Sequence, residues 1–504
     1  MEQNETAVEH VRKEKNYGMM VPAYQWQEPA NYEYLGIEGM PPELLQGYAD
    51  NDAGNARRFL DVYGDDVRYC PVEKQWYICQ NDQSWKVDEE LLIHKLAYNS
   101  VHNSYVHELK FYTAIDRFGQ MKQTITKLER GLRNIGNYNA LKNCVSMAQK
   151  EVPITAEQFD RDPKLFHTPN VTLEVDSLTG VENQKAHYIT KTAGAVYDCE
   201  ALCPLWEQFV MQCVEGDIDV YRYLQKAAGY SILSGDIGEQ VVFCLLGSGK
   251  NGKSLFINTL AEIAGDYACK IDSSIISMTR KGDKDNDVSK ELYRMRGSRF
   301  VYTSEFNKNA VLNEAFVKSI TDGGKISCRP LYGAGIEYQP TYTLWFSTNN
   351  VPQLTGFDQG IQRRFVLIPF DHLVTEPNKT LPQALLSEAS GILNWLVEGY
   401  HMYLSEGLEK PETVVQAIAE YISQQDVYQL FVGEYYTPDD NGKVYAKNVY
   451  EQYRTWCQYN GEKPVTQIAL SKELQRLGIA RGKDHYGYYW RITGKQPNSH
   501  YLSA

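Results

Sequence analysis

Hydrophobic positions follow two rhythms along this chain. Where they recur every three or four residues they predict helices. Leu91, Leu92 and Leu96, with Leu128 and Leu132, do so between about residues 90 and 150. Trp206, Phe209, Val210, Cys213, Tyr221, Tyr223 and Leu224 do so between 204 and 233, and Leu385, Leu386, Ile392, Leu393 and Leu396 between 381 and 433. Elsewhere the apolar residues form short unbroken runs, the mark of strands buried on both faces. These runs are Val241–Leu246, Arg299–Glu305, Thr343–Thr348 and Val366–Phe370, and a helix-like stretch, Ser254–Ala264, follows the first. Such an alternation predicts an α/β fold with a parallel central sheet, preceded by a mainly helical amino-terminal region.

The flanks read differently. Residues 1–45 are polar and proline-rich (Pro22, Pro29, Pro41, Pro42), a loosely ordered lead. Aromatic and turn residues alternate between about 50 and 90 (Tyr69, Trp76, Tyr77, Trp85), predicting a small β-hairpin element, and 153–190 predicts loops and short strands. Pro438-Asp439-Asp440-Asn441-Gly442 is a turn-rich linker. After it, Val444–Tyr459 and Ile468–Leu477 predict helices, and Ile479–Ile492 an aromatic hairpin. The expected segments are 1–45, 46–203, 204–372 (opening with a helical stretch, 204–234), 373–437 and 438–504.

At 504 residues the chain exceeds a single core, and its 43% hydrophobic and 23% charged content is ordinary for soluble globular protein. It holds no apolar run long enough to cross a bilayer, and its polar, acidic start is no secretory signal. A cytoplasmic protein with no membrane partner is expected. Ten scattered cysteines fit reduced thiols, and the closest group, Cys199, Cys203 and Cys213, has poor zinc spacing and no histidine beside it. The net charge of −13 argues against nucleic acid until its distribution is counted. Residues 441–504 carry ten basic and four acidic side chains, net +6, leaving −19 for the rest. Affinity for nucleic acid follows such local patches rather than the total.

The strongest chemical signal is Gly247-Ser248-Gly249-Lys250-Asn251-Gly252-Lys253-Ser254, which satisfies the phosphate-loop pattern G-x-x-x-x-G-K-[ST]. It lies between a predicted strand and a predicted helix, the context the pattern needs. Backbone N–H groups of the loop and the helix N-terminus would cradle phosphates, Lys253 would reach the β- and γ-phosphates of ATP, and Ser254 would ligate Mg²⁺. Glu305, about fifty residues on, ends a predicted strand. There a carboxylate can orient the attacking water and sit near the metal. Asn349 ends another, where an amide can hold that water. Arg363 and Arg364 head a third, and guanidinium groups suit the charge on a transferring phosphoryl group. Between Glu305 and Asn349, two β-like runs flank Tyr332-Gly333-Ala334-Gly335 and predict a hairpin. Lys325 and Arg329 would meet phosphates there, Tyr332 would stack on a base or sugar, and Lys318, ahead of the hairpin, is a further candidate for DNA contact.

These motifs, with Lys318-x-x-Thr-x-Gly-Gly, Thr348-Asn349-Asn350-x-Pro352 and Arg363-Arg364-Phe365, resemble those of superfamily-three helicases. The chain is most similar to the phage and plasmid primase-helicases, with their poxviral relatives and the replication helicases of bacterial mobile islands. Asp52–Phe59, Arg68-Tyr69-Cys70-Pro71, Trp76, Phe159–Pro163 and Leu178-Thr179-Gly180 resemble that family's run-up to its ATPase. Tyr445–Ile492 resembles its C-terminal winged helix, in which Lys472, Arg476, Arg481 and Lys483 would contact DNA. The resemblance implies an AAA+ core at 204–372, a helicase-associated domain at 46–203, a helical subdomain at 373–437 and a winged helix at 438–504. It implies a homo-hexameric ring that hydrolyses ATP with Mg²⁺ at subunit interfaces and unwinds DNA, moving 3′ to 5′ on one strand of a fork. Arg363 or Arg364 would act in trans, the hairpin would line the pore, and the host compartment would be a bacterial cytoplasm. The tail would bind duplex origin DNA of a phage or mobile element. Many superfamily-three members carry two adjacent acids at the second strand, but here Ser304 precedes Glu305, which leaves a single carboxylate for both the Mg²⁺ and the water-polarising duty. Because only about 200 residues precede the ATPase, no primase activity is expected, and a separate primase would be a partner. The alternative is an origin-binding initiator ATPase that assembles on DNA without unwinding it.

Overall fold

The computed structural model describes residues 48–278, 285–304, 306, 310–329, 335–349, 351–354, 359–375, 378–460 and 463–495. The expected lead at 1–45 lies outside them. The amino-terminal unit opens with a helix, Asp52–Tyr63, started by Asn51, whose side chain accepts from the Gly54 N–H. An antiparallel sheet follows (Val67–Cys70, Gln75–Cys79, Trp85–Val87), then helices Leu92–Ile115, Lys122–Ile135 and Tyr138–Ala148. The expected hairpin is therefore the second half of its segment, and a helix takes the first. Phe59 and Ala56 bury with Val101 and Tyr105 in this unit's core. Arg58, also buried, is held there by two 3.0 Å bonds to Glu108 and by the Tyr105 ring.

Next come a small antiparallel sheet (Leu165–His167, Thr172–Glu174, Thr179–Val181) and helices Pro204–Cys213 and Ile218–Leu233. The central sheet has five strands: β1 (Val242–Leu246), β2 (Ala268–Lys270), β3 (Phe300–Ser304), β4 (Thr343–Thr348) and β5 (Phe365–Pro369). Their order is β5-β1-β4-β3-β2, with every pair parallel. Alternate residues enter different cores, as a sheet covered on both faces requires. Phe243, Leu245, Trp345, Val366 and Ile368 join one, while Val242, Cys244, Leu344, Phe346 and Leu367 join the other. The mixed α/β architecture and the parallel sheet agree with the sequence. Arg299, just ahead of β3, is 3% exposed and donates to the carbonyls of Leu233, Pro163 and Leu165 at 2.6, 2.9 and 2.6 Å.

Strands Ile326–Cys328 and Ile336–Tyr338 form the expected antiparallel hairpin. Lys318 lies outside it, on the helix Glu314–Thr321, because Asn313 caps that helix and Val317, Ile320 and Thr321 bury its inner face. The hairpin base rests on the helix Asp285–Arg294. Ser289 Oγ accepts from the Arg329 N–H at 2.8 Å, and Tyr338 donates to the Leu292 carbonyl at 2.7 Å. The carboxyl end of the same helix reaches the amino-terminal unit. Glu73, whose side chain is 2% exposed, accepts from Arg296 at 2.6 Å and Tyr293 at 3.3 Å.

Helices Leu381–Leu386, Ala389–Glu406, Glu412–Gln425 and Val427–Tyr435 follow β5. The last packs forward: Phe431 and Val432 share a core with Tyr453, Trp456 and Trp490. The carboxyl-terminal unit thus begins to pack ahead of the expected linker at 438–442. It contains helices Ala446–Asn460 and Gln467–Arg476 and a sheet of Val444–Tyr445, Gly487–Trp490 and Arg481–Asp484. Among the described residues no helix is long and apolar enough to cross a membrane, and no His, Cys, Asp and Glu group could hold a metal ion.

Candidate nucleotide site

β1 delivers residues 247–252 to the carboxyl edge of the sheet, where the chain must turn at once into the helix Lys253–Ala264. That turn uses positive φ at Gly249 (+108°), Lys250 (+54°) and Gly252 (+83°). A Cβ on Gly252 would stand 2.6 Å from Cys213 Sγ and 3.1 Å from the Phe209 ring, so the helix Pro204–Cys213 backs the loop directly. On its other side the loop is tied to the exit of β5. The Phe370 N–H donates to Leu246 O at 2.7 Å, Asn251 Nδ2 to His372 O at 3.1 Å, and the Val374 N–H to Lys250 O at 2.9 Å.

Lys253 is 5% exposed, and its Nζ donates to Gly247 O at 3.0 Å and Asn251 Oδ1 at 3.2 Å. Burial lowers its pKa, against a raising influence from Cys244 and Asp371. No carboxylate forms an ion pair with it among the described residues. A buried ammonium satisfied only by neutral oxygens is costly. The same ammonium beside a helix N-terminus is suited to an anion. Ser254 is exposed in the first turn of the helix, as are Ser248 and Lys250, while Gly247 and Asn251 are buried.

Asn349 follows β4, whose Thr348 is in register with Leu246. It is exposed, and a Cβ on Gly249 would lie 3.9 Å from its Nδ2. Ser304 pairs with Ser347, which brings the end of β3 to the same edge. Glu305 itself lies outside the described residues, as does Tyr332. Arg363 and Arg364 sit at the opposite edge, since Phe365 is in register with Val242. Four residues at about 3.3 Å each put them roughly 13 Å from the start of their own chain's loop along the strand direction. Arg363 is exposed, with a 3.4 Å contact to Gln240 Oε1. Arg364 is buried and donates to Gly360 O at 2.9 Å and Gln240 Oε1 at 2.8 Å.

Of the residues predicted to meet DNA, Lys325 and Arg329 are exposed on the hairpin, and Lys472, Arg481 and Lys483 on the carboxyl-terminal unit. The Arg481 guanidinium lies 3.8 Å over the Tyr488 ring, with Lys483 5.3 Å from the same ring. Arg476 has an internal duty instead. It bonds the buried Asp426 at 2.6 Å, which also caps the helix Val427–Tyr435. Sequence reasoning missed Phe209, Cys213 and His372, because the contacts that shape the loop come from distant segments with no local signature.

A family model described as "D5 N terminal like" matches residues 56–215. A "putative helicase" of Acanthamoeba polyphaga mimivirus is 24% identical over 89% of this chain and 50% of its own length. Another, from Sputnik virophage, is 25% identical over 51% of this chain and 35% of its own length. A "putative primase" of African swine fever virus is 23% identical over 41% of this chain and 22% of its own. The apo structure of the NrS-1 C-terminal region is similar at a TM-score of 0.46 and 10% identity, covering 87% of this chain and 98% of that one. These relatives are viral proteins described as helicases and primases. At 23–25% identity, and with a family model that matches residues 56–215 alone, the chain is similar to these proteins. It spans at most half the length of these curated relatives.

Proposed function

We propose that this protein is an ATP-dependent, ring-forming replicative DNA helicase of a phage, virus or mobile element, moving 3′ to 5′ on single-stranded DNA. The observation that carries the reading is the buried Lys253 ammonium, held by Gly247 O and Asn251 Oδ1 in a loop with three positive-φ residues. On this reading 204–372 is an AAA+ phosphate-loop core. Residues 247–254 bind the triphosphate, and Ser254 with Glu305 holds Mg²⁺, which supplies charge neutralisation for the transferring phosphoryl group. Asn349 positions the water that Glu305 polarises. Arg363 and Arg364 lie too far from their own loop to serve it, which supports action on a neighbour's nucleotide in a homo-hexamer.

The hairpin, through Lys325, Arg329 and Tyr332, takes the translocating strand, with Lys318 on the helix beside it. The carboxyl-terminal unit is a winged helix that meets duplex or forked DNA through Lys472, Arg481 and Lys483, while Arg476 holds its second helix to Asp426. The exposed cations of this unit also favour the second reading, an origin-binding initiator that assembles without unwinding. The host compartment, a bacterial cytoplasm on the sequence resemblance, and a separate primase partner belong to this proposal.

Strand displacement from a forked duplex with ATP and Mg²⁺ tests it. Unwinding that Lys253→Ala abolishes is the expected result. Binding with no displaced strand would overturn the helicase reading in favour of the initiator. Mixing Arg363→Ala or Arg364→Ala subunits with Lys253→Ala subunits should restore part of the ATP turnover, because each mixed interface joins one intact loop to one intact arginine pair. No restoration with either would refute action in trans.

A further inference from the structure

We propose that the solvent face of the helix Lys122–Ile135, with the chain on either side of it, is a second nucleic-acid surface that holds single-stranded DNA on the amino-terminal unit. The inference rests on the helicase reading and adds a site to it. Residues 117–150 contain seven cations (Arg117, Lys122, Lys127, Arg130, Arg133, Lys142, Lys150) and one acid, Glu129. This +6 equals the excess of the tail in roughly half the length. All seven are exposed, and none forms an ion pair among the described residues. Arg57, Arg222 and Arg294, also exposed, each hold a carboxylate.

Packing fixes where the cations point. Leu128, Gly131 and Ile135 are the buried residues of the helix. A Cβ on Gly131 would stand 2.5 Å from the Tyr105 ring, so this face is pressed against the helix Leu92–Ile115. At about 100° per residue, Lys122, Lys127, Arg130 and Arg133 then fall within an arc of about 140° on the other side. Phe118 and Tyr138 flank the two ends of the helix and are 86% and 72% exposed. Cations along a face with an open ring at each end match a flexible polyanion whose bases can turn outward to stack. In a chain of net charge −13, a polyanion needs a local cluster of this kind to approach at all. A carboxylate-rich protein surface would be met by the cations alone and leaves the exposed rings without a role.

The test uses the full chain carrying Lys127→Ala, Arg130→Ala and Arg133→Ala together, since alanine keeps the helix. Binding of a labelled oligothymidylate is measured across a salt series, with a blunt duplex in parallel. Each cation contacting a single strand contributes about 0.7 to the slope of log affinity against log salt, so the slope should fall by about 2. Low-salt affinity should drop more than tenfold, with ATP turnover in the absence of DNA and assembly mass unchanged. Phe118→Ala should weaken single-strand binding and leave the slope intact, because stacking carries no charge. An unchanged slope overturns the proposal, as does an equal loss on the blunt duplex. Altered assembly mass with intact strand binding also overturns it and assigns the patch to an acidic protein surface. If the unaltered chain binds no oligonucleotide, the helicase reading falls as well. If it binds and unwinds while the triple variant keeps its slope, this surface alone is refuted.

Discussion

Gly252→Ala is the sharpest probe of how the nucleotide loop is built. At φ +83° an L side chain costs about 1–2 kcal/mol. The new methyl would also stand 2.6 Å from Cys213 Sγ in a packed interior, where overfilling costs about 1–3 kcal/mol. Reduced freedom of the unfolded chain returns about 0.4–1 kcal/mol. The net loss should be about 2–4 kcal/mol, concentrated in the loop and its helix. Because a chain of several cores does not unfold in one step, the readout is hydrogen exchange of β1 and of Lys253–Ala264 across a urea series. Adding Cys213→Ala removes the sulfur and leaves the Phe209 ring, at 3.1 Å, as the nearest side chain. Part of the loss should then return, giving a coupling of at least about 1 kcal/mol between two positions that are 39 residues apart. Strict additivity of the two substitutions, or a neutral Gly252→Ala, would refute the packing argument.

Three further outcomes follow from the same geometry. Burial lowers the Lys253 pKa below its ordinary 10.5, and bound phosphate should raise it again. Nucleotide binding should therefore take up protons as pH rises toward 10.5, and the free chain should gain stability over the same range as its unfolded state retains the proton longer. Calorimetry in buffers of different ionisation enthalpy would show the uptake, and proton release would contradict it. Arg299→Leu removes the donor from one buried and two part-buried carbonyls and should cost about 3–5 kcal/mol, seen as a lost or much earlier thermal transition, with Arg299→Lys no rescue because an ammonium lacks the fork. Asp426→Ala removes a helix cap and the buried one of two carboxylate partners of Arg476, and should loosen the carboxyl-terminal unit by about 2–4 kcal/mol in hydrogen exchange while β1–β5 keep their protection.

Much of the architecture is written in local patterns. Four of the five core strands lie where unbroken apolar runs place them, because a strand covered on both faces has no polar alternation to blur it. β2 escapes that reading: Ala268–Lys270 is a three-residue edge strand defined only by its pairing with β3. The helix Asp52–Tyr63 is hidden by aromatic alternation further along its segment, and Lys318 follows a cap at Asn313 rather than the hairpin it precedes. The phosphate-loop motif marks Lys253, yet nothing near it in sequence marks Cys213, Phe209 or His372, which hold its loop in shape. Arg363 and Arg364 both reach Gln240, more than a hundred residues away, and only Arg364 is buried and also bonds the Gly360 carbonyl. Charge counted as tail against remainder conceals a second basic stretch, because the acidic excess elsewhere cancels it.

The helix Asp285–Arg294 holds the hairpin through Ser289 and Leu292 and, through Tyr293 and Arg296 just past its end, holds Glu73 of the amino-terminal unit. On the helicase reading proposed above, any stroke of the hairpin along a channel therefore has a passenger. Either the amino-terminal unit travels with it, or an ion pair with a buried carboxylate must open and close every cycle at about 3–5 kcal/mol. A machine wired this way spends less by swinging two units as one lever than by flexing a loop.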